Sequence, residues 1–323
     1  MKILSSIQNV VNLELSAVNV SILNHLESDV VLIKQIGEYI IQSGGKRLRP
    51  LAVLLSSRAC GYTGHQNIDL AVIIELIHTA TLLHDDVVDA SEKRRNQETA
   101  NAVWGNEASV LVGDFLYSKA FEIMSKIGSM RIMEVFAHAT NRIAEGEVLQ
   151  LLNCHNPDIS EANYFEIIER KTATLFAAGT YSSTMLASVP SAKEIAIRDY
   201  GLHLGIAFQL IDDVLDYSPN NPELGKNVGD DLAEGKVTLP LIQALATCTK
   251  SQTAVIRAAI ENGSRDKLND ILATLETTKS IDYTIAKARK EAELAKFALR
   301  DFESSAYIQA MYDLADFAVN RNF

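Results

Sequence analysis

Six aspartates in two identical patterns demand a chemical explanation in this 323-residue sequence. Asp85, Asp86 and Asp89 spell D-D-x-x-D, and Asp212, Asp213 and Asp216 spell it again. Aspartate is a poor helix former and is costly to bury. Its neighbours here are nevertheless apolar: Leu82, Leu83, Val87 and Val88 in one case, Leu210, Ile211, Val214 and Leu215 in the other. In a helix, Asp85 and Asp89 lie one turn apart on one face, as do Asp212 and Asp216. Carboxylates held so close repel, or raise one another's pKa, unless a divalent cation sits between them. Oxygen-only ligands select a hard ion, and with no EF-hand loop in the sequence Mg2+ is expected rather than Ca2+. Such an ion completes its shell with waters and substrate phosphates, so two facing acidic clusters imply a polyphosphate bridged by metal across a cavity.

Basic residues crowd beside the same motifs. Gly44-Gly45-Lys46-Arg47-Leu48-Arg49-Pro50 reads as a turn delivering three cations to a helix entrance, where backbone N–H groups and the helix dipole also favour an anion. It is not a P-loop, because G-x-x-x-x-G-K-[ST] is missing. Arg94 and Arg95 follow the first motif, Lys226 and Lys236 flank Asp230-Asp231 after the second, and Lys171-Thr172 fall on a helix between them. Together they can neutralise diphosphate charge that the metal leaves uncompensated. His78 lies two turns before Asp85 and within about 20° of it on the helical wheel, so it can donate into the same cavity. His84 points about 100° away and reads as structural. Gln150 and Gln209 are neutral polar groups in apolar runs, which favours a role at the site over simple packing. No Ser-His or Cys-His pairing suggests a nucleophile.

The elements that must carry these residues are helices. Apolar residues recur at three and four, as in Val10, Leu13, Ala17 and Val20 or Ile33, Ile36 and Ile40, and no stretch alternates by two. Gly and Pro number only 16 and 6, so turns are scarce and a sandwich or barrel of short strands is excluded. Pro50 suits a first helical turn. Asp158-Ile159-Ser160-Glu161 reads as a capping box opening the helix of Arg170 and Lys171. The C-terminal third, from Gln252 onward, reads as amphipathic helix packed on the rest. Lys+Arg 30 against Asp+Glu 41 gives a net charge of −11, which argues against a nucleic-acid partner. Cys60, Cys154 and Cys248 are far apart, so neither a disulfide framework nor a zinc site is indicated. With no apolar run long enough for a transmembrane segment and no signal-peptide core, a cytoplasmic protein is expected.

The combination resembles the trans-polyprenyl diphosphate synthases over essentially the whole chain. The resemblance rests on GGKRLRP at 44–50, HTATLLHDDVVD at 78–89, the Arg94-Arg95 pair, GDFLYSKAF at 113–121, AEGEVLQ at 144–150, Lys171-Thr172, and GIAFQLIDDVLDY to GKNVGDDLAEGKVTLP at 205–240. It implies an all-α fold, a single isoprenoid-synthase-type helical domain over 1–323 around a deep central cavity, working as a homodimer. By the same resemblance, Asp85 and Asp89 are ligands for two of three Mg2+ ions and Asp212 for the third, with Asp86, Asp213 and Asp216 in support. Lys46, Arg49, His78 and Arg95 match a site for isopentenyl diphosphate. Arg94, Lys171, Thr172, Gln209 and Lys226 match groups that hold the allylic diphosphate, and Lys236 joins them as a neighbouring cation. Ala80 and Thr81, small residues before Asp85, imply a long product tunnel, with Met124 and Phe136 at its floor. The expected product is an octaprenyl chain, of the kind quinones carry, whose length asks for membrane proximity. Two other readings stay open: a class I terpene cyclase, which needs only the first motif, and a non-catalytic subunit of a heteromeric synthase.

Overall fold

The computed structural model describes residues 2–42, 44–94, 97–218 and 228–321. Among the described residues the chain is helical almost throughout. Helices α1 (Lys2–Asn9), α2 (Asn12–His25) and α3 (Val31–Gln42) lead into α4 (Leu48–Ala59) and the long α5 (Gln66–Val88). A two-residue antiparallel ladder, β1 (Lys93–Arg94) with β2 (Gln97–Glu98), is the one sheet among them. Then come α6 (Ala100–Trp104), α7 (Asn106–Ile127), α8 (Met130–Asn153) and α9 (Glu161–Ile168). A π turn (Glu169–Ala173) joins α9 to α10 (Thr174–Ala187), followed by α11 (Ser191–Leu215), α12 (Asp230–Ala233), α13 (Leu239–Thr247), α14 (Lys250–Asn262), α15 (Leu268–Thr277), α16 (Ser280–Ala298) and α17 (Ala306–Val319).

Apolar faces at helical spacing build one large core from α1 to α11 with α16 and α17, and a smaller cluster under α12 to α15. Ile242 packs against both, which ties the smaller cluster to the larger. Pro50 lies in the first turn of α4, as its missing N–H predicts. Ser160 caps α9 by accepting from the Asn163 N–H at 3.1 Å, but α9 ends at Ile168. The expected helix bearing Arg170 and Lys171 is therefore a π turn at that point, and the Thr174 hydroxyl donates to the Glu169 carbonyl at 2.9 Å across it. Such widened turns re-aim side chains and cluster at functional sites.

Two glycines let backbones meet behind this turn. A Cβ on Gly146 would lie 2.8 Å from the Lys171 amide nitrogen, and one on Gly205 would lie 2.6 Å from the Ala173 Cα. Only glycine allows α8 and α11 to approach the π turn from both sides, which fixes where Lys171 and Thr172 emerge.

Candidate active site

Both D-D-x-x-D motifs fall at the C-terminal ends of long helices, on α5 and α11, with Asp89 and Asp216 as the capping residues. A helix C-terminus carries partial negative charge, so six carboxylates placed there oppose the dipole and require compensating cations. The fold supplies them from four other places.

At the first motif, the guanidinium of Arg94, carried by β1, grips the buried Asp86 with Nε at 3.0 Å and Nη2 at 2.7 Å from Oδ1. Burial works against the Arg94 charge, but Asp86 outweighs it and keeps the pKa above the ordinary arginine value. Lys171 reaches toward Asp85, with Nζ 3.6 Å from Oδ2. Lys236 donates to Asp89 Oδ2 at 2.6 Å and to Glu234 Oε2 at 2.7 Å. Burial disfavours its charge too, yet Asp89, Glu234 and Asp231 more than offset that and raise its pKa.

The second motif is furnished differently. Asp212 Oδ1 accepts from Arg321 Nη1 at 2.6 Å. Asp213 is buried and accepts from the Tyr164 hydroxyl and from Gln209 Nε2, the latter at 2.7 Å. Burial, reinforced by Asp231, pushes the Asp213 pKa well above the carboxylate range. Asp216 Oδ1 lies 3.5 Å from the Asp231 amide nitrogen, where the chain re-enters α12.

The π turn joins the two motifs. Lys171 faces Asp85; the adjacent Thr172 hydroxyl donates to Gln209 Oε1 at 3.0 Å; and Gln209 in turn donates to Asp213. The π turn therefore links Asp85 of the first motif to Asp213 of the second through Lys171, Thr172 and Gln209. A cavity of about 100 Å³ opens beside this link, lined by Lys171, Thr172, Gln209, Lys236, Tyr164 and, alone of the six motif aspartates, Asp213.

Farther along α4 and α5, Arg49 Nη1 and His78 Nε2 lie 3.0 Å apart, and the Arg49 guanidinium stacks 4.7 Å from the Phe176 ring centre. Lys46 Nζ sits 5.6 Å from the Phe317 ring. Arg47, which the sequence grouped with them, instead turns to the buried Glu75 and the Ile41 carbonyl, so two cations rather than three remain at this entrance. Arg95 and Lys226 lie outside the described residues. Ala80, Met124 and Phe136 are buried in the main core, while Thr81 is half-buried and donates to the His78 carbonyl at 2.8 Å. His84 packs on α7 beside Gly113 and the Val110 carbonyl, in keeping with a structural role.

Sequence reasoning missed Glu147, Glu234, Tyr164 and Arg321. Glu147 stands in the AEGEVLQ run beside Gln150, and both hold Lys171, at 2.6 and 2.7 Å. Arg321, two positions after α17, carries no signal in the sequence at all.

The donor set suits Mg2+. Asp85, Asp89 and Asp212 offer only carboxylate oxygen, and among the described residues no three acidic, imidazole or thiol groups converge into a closed cage. Mg2+ commonly binds one or two carboxylates and takes its remaining ligands from water and phosphate.

Comparison with known proteins gives the family. The polyprenyl synthetase family model matches residues 30–275. The chain belongs to that family and is a Mg-dependent trans-prenyltransferase. It is 49% identical over 321 residues to an octaprenyl diphosphate synthase of Haemophilus influenzae, covering 99% of this chain and 98% of that one. An octaprenyl diphosphate synthase of Escherichia coli is also 49% identical, over 96% of each chain. Among solved structures, a polyprenyl synthase of Caulobacter crescentus complexed with calcium and isoprenyl diphosphate superimposes with a TM-score of 0.96 at 42% identity, covering 99% and 98% of the two chains.

Proposed function

We propose that this chain condenses farnesyl diphosphate with successive isopentenyl diphosphates into a long all-trans polyprenyl diphosphate, the octaprenyl compound destined for a quinone side chain. The observation that supports it most is the span from Asp85 through Lys171, Thr172 and Gln209 to Asp213, which places a cation and hydrogen-bonding groups where a diphosphate would lie between two acidic rows. Asp85, Asp89 and Asp212 would hold three Mg2+ ions, whose charge makes the diphosphate a better leaving group. Lys171, Lys236 and Arg94, with Lys226, take up the negative charge that grows on the departing diphosphate of the allylic substrate. Lys46, Arg49, His78 and Arg95 anchor isopentenyl diphosphate so that its double bond meets the allylic carbon. Apolar walls exclude water from the cation so formed, and a proton passes from the new chain to the released diphosphate.

Ala80 and Thr81 leave room for the growing chain, and Met124 and Phe136 close its path. The whole chain, 1–323, acts as one domain. A second copy covers the apolar outer sides of α7 and α8, where Leu111 is 67% and Leu152 74% exposed. No described helix is long and apolar enough to cross a membrane; we place the protein in the cytoplasm, where the product must meet a lipid surface.

The test is incubation of the isolated protein with Mg2+, farnesyl diphosphate and labelled isopentenyl diphosphate, followed by product mass. Label entering an acyclic octaprenyl diphosphate is the expected result. Diphosphate release without label uptake would restore the cyclase reading, and no turnover by the isolated chain the subunit reading.

A further inference from the structure

Each outer carboxylate of the first motif stands beside a lysine that a glutamate outside both motifs also holds. Lys171 donates to Glu147 Oε2 at 2.6 Å and Gln150 Oε1 at 2.7 Å, and stays 3.6 Å from Asp85 Oδ2, beyond hydrogen-bonding distance. Lys236 donates to Asp89 and Glu234 at nearly equal lengths, 2.6 and 2.7 Å. The two pairs differ: Lys236 already sits on Asp89, whereas Glu147 of α8 and Gln150 take up Lys171 and leave Asp85 without a direct bond to it. An ammonium has three donors and no preferred acceptor among carboxylates. Without Glu147, Lys171 would settle on Asp85, in direct competition with a divalent cation.

Glu147 thus does two things through Lys171: it draws cationic charge off a proposed metal ligand, and it keeps the ammonium within reach of an arriving diphosphate.

We infer that Glu147 is a positioning residue that holds Lys171 off Asp85, so that this carboxylate of the first acidic motif stays open to divalent metal. The inference rests on the metal-dependent reading above and names a residue to which that reading gives no role.

A double-mutant cycle tests it. Binding of Mn2+ alone is followed by the electron paramagnetic resonance of the free ion in wild type, Glu147→Gln, Lys171→Met and the double variant. Glu147→Gln is expected to weaken Mn2+ binding roughly tenfold, the scale of one charged hydrogen bond redirected onto the metal ligand. The same change in the methionine background should have no effect, because no lysine remains to be released. Glu147→Asp should restore most of the affinity. Circular dichroism melts confirm that each variant is folded. Equal weakening in both backgrounds would make Glu147 a simple charge or ligand, and no weakening in either would make it a bystander; both results overturn the inference. Failure of the wild type to bind Mn2+ would overturn the metal assignment itself and this inference with it, so the two failures are told apart.

Discussion

The two aspartate triplets have the same spacing and end two long helices, yet the fold equips them differently. In the first, the middle acid is neutralised by a forked guanidinium from β1, and the outer two face lysines that are also held by glutamates. In the second, the middle acid is buried among neutral donors, the last lies near the Asp231 amide, and Asp212 faces the guanidinium of Arg321. One motif therefore sets its two outer acids beside lysines, and the other sets its first acid against an arginine. Helical spacing decides which acids can share a face; what packs behind each acid decides whether it is available to a ligand.

The largest expected effect tests that asymmetry directly. Asp85→Ala and Asp89→Ala should each lower turnover by about 10³-fold or more at saturating Mg2+, whereas Asp213→Asn should lower it by less than about tenfold. Rates of labelled isopentenyl diphosphate incorporation decide this, and equal losses would erase the distinction. Next in size is product length. Ala80 lies five residues before Asp85, and Ala207 lies five before Asp212; both are fully buried. If only the first helix lines the product path, Ala80→Tyr shortens the chain by several isoprene units. Ala207→Tyr should instead cost about 1–3 kcal/mol of stability by overpacking, with no change in length. Product mass and thermal melts separate the two.

A smaller effect concerns the middle acids. Asp86→Asn strips Arg94 of its counter-charge and should cost about 2 kcal/mol, less than for a fully buried pair because the guanidinium is partly exposed. Asp213→Asn should cost under about 1 kcal/mol at neutral pH, since an amide still accepts one hydrogen bond and carries no charge to bury. The pH dependence has a definite sign. Because folding raises the Asp213 pKa, its stabilising effect is present below the ordinary aspartate value and is lost as pH rises through the raised one. Asp213→Asn has no such proton to lose, so its stability relative to wild type should improve with rising pH in urea titrations.

Much of this was legible in the sequence because it depends on local periodicity. The 3.6-residue pattern gives the helices, and acids one turn apart within apolar runs mark where those helices must end at a charged cavity. What was not legible depends on long-range pairing or unusual backbone. Lys171 lies on a π turn rather than an α-helix, and the glycines that permit it, Gly146 and Gly205, are 25 and more residues away along the chain. Arg47 sits between Lys46 and Arg49, but its partner Glu75 belongs to another helix, so adjacency alone grouped it wrongly. The C-terminal third reads as packing helix throughout, and most of it is; Arg321 is the exception that spacing cannot reveal.

Arg321 also supplies the smallest and most pointed test of the contrast between the motifs. Its guanidinium donates to Asp212, to the Phe208 carbonyl at 2.8 Å and to the Ala318 carbonyl at 3.2 Å, and lies 3.9 Å from the Phe208 ring centre. A lysine keeps the charge but cannot reproduce the planar fork, so Arg321→Lys should cost about 1 kcal/mol in urea denaturation. If the ion pair carries most of that, the loss should shrink in an Asp212→Ala background. If instead the loss is the same in both backgrounds, the guanidinium serves to fasten the chain end to α11 through Phe208. Arg321 would then contribute little through Asp212, and metal could displace it from that carboxylate at small cost, unlike the lysine that donates to Asp89 at the first motif.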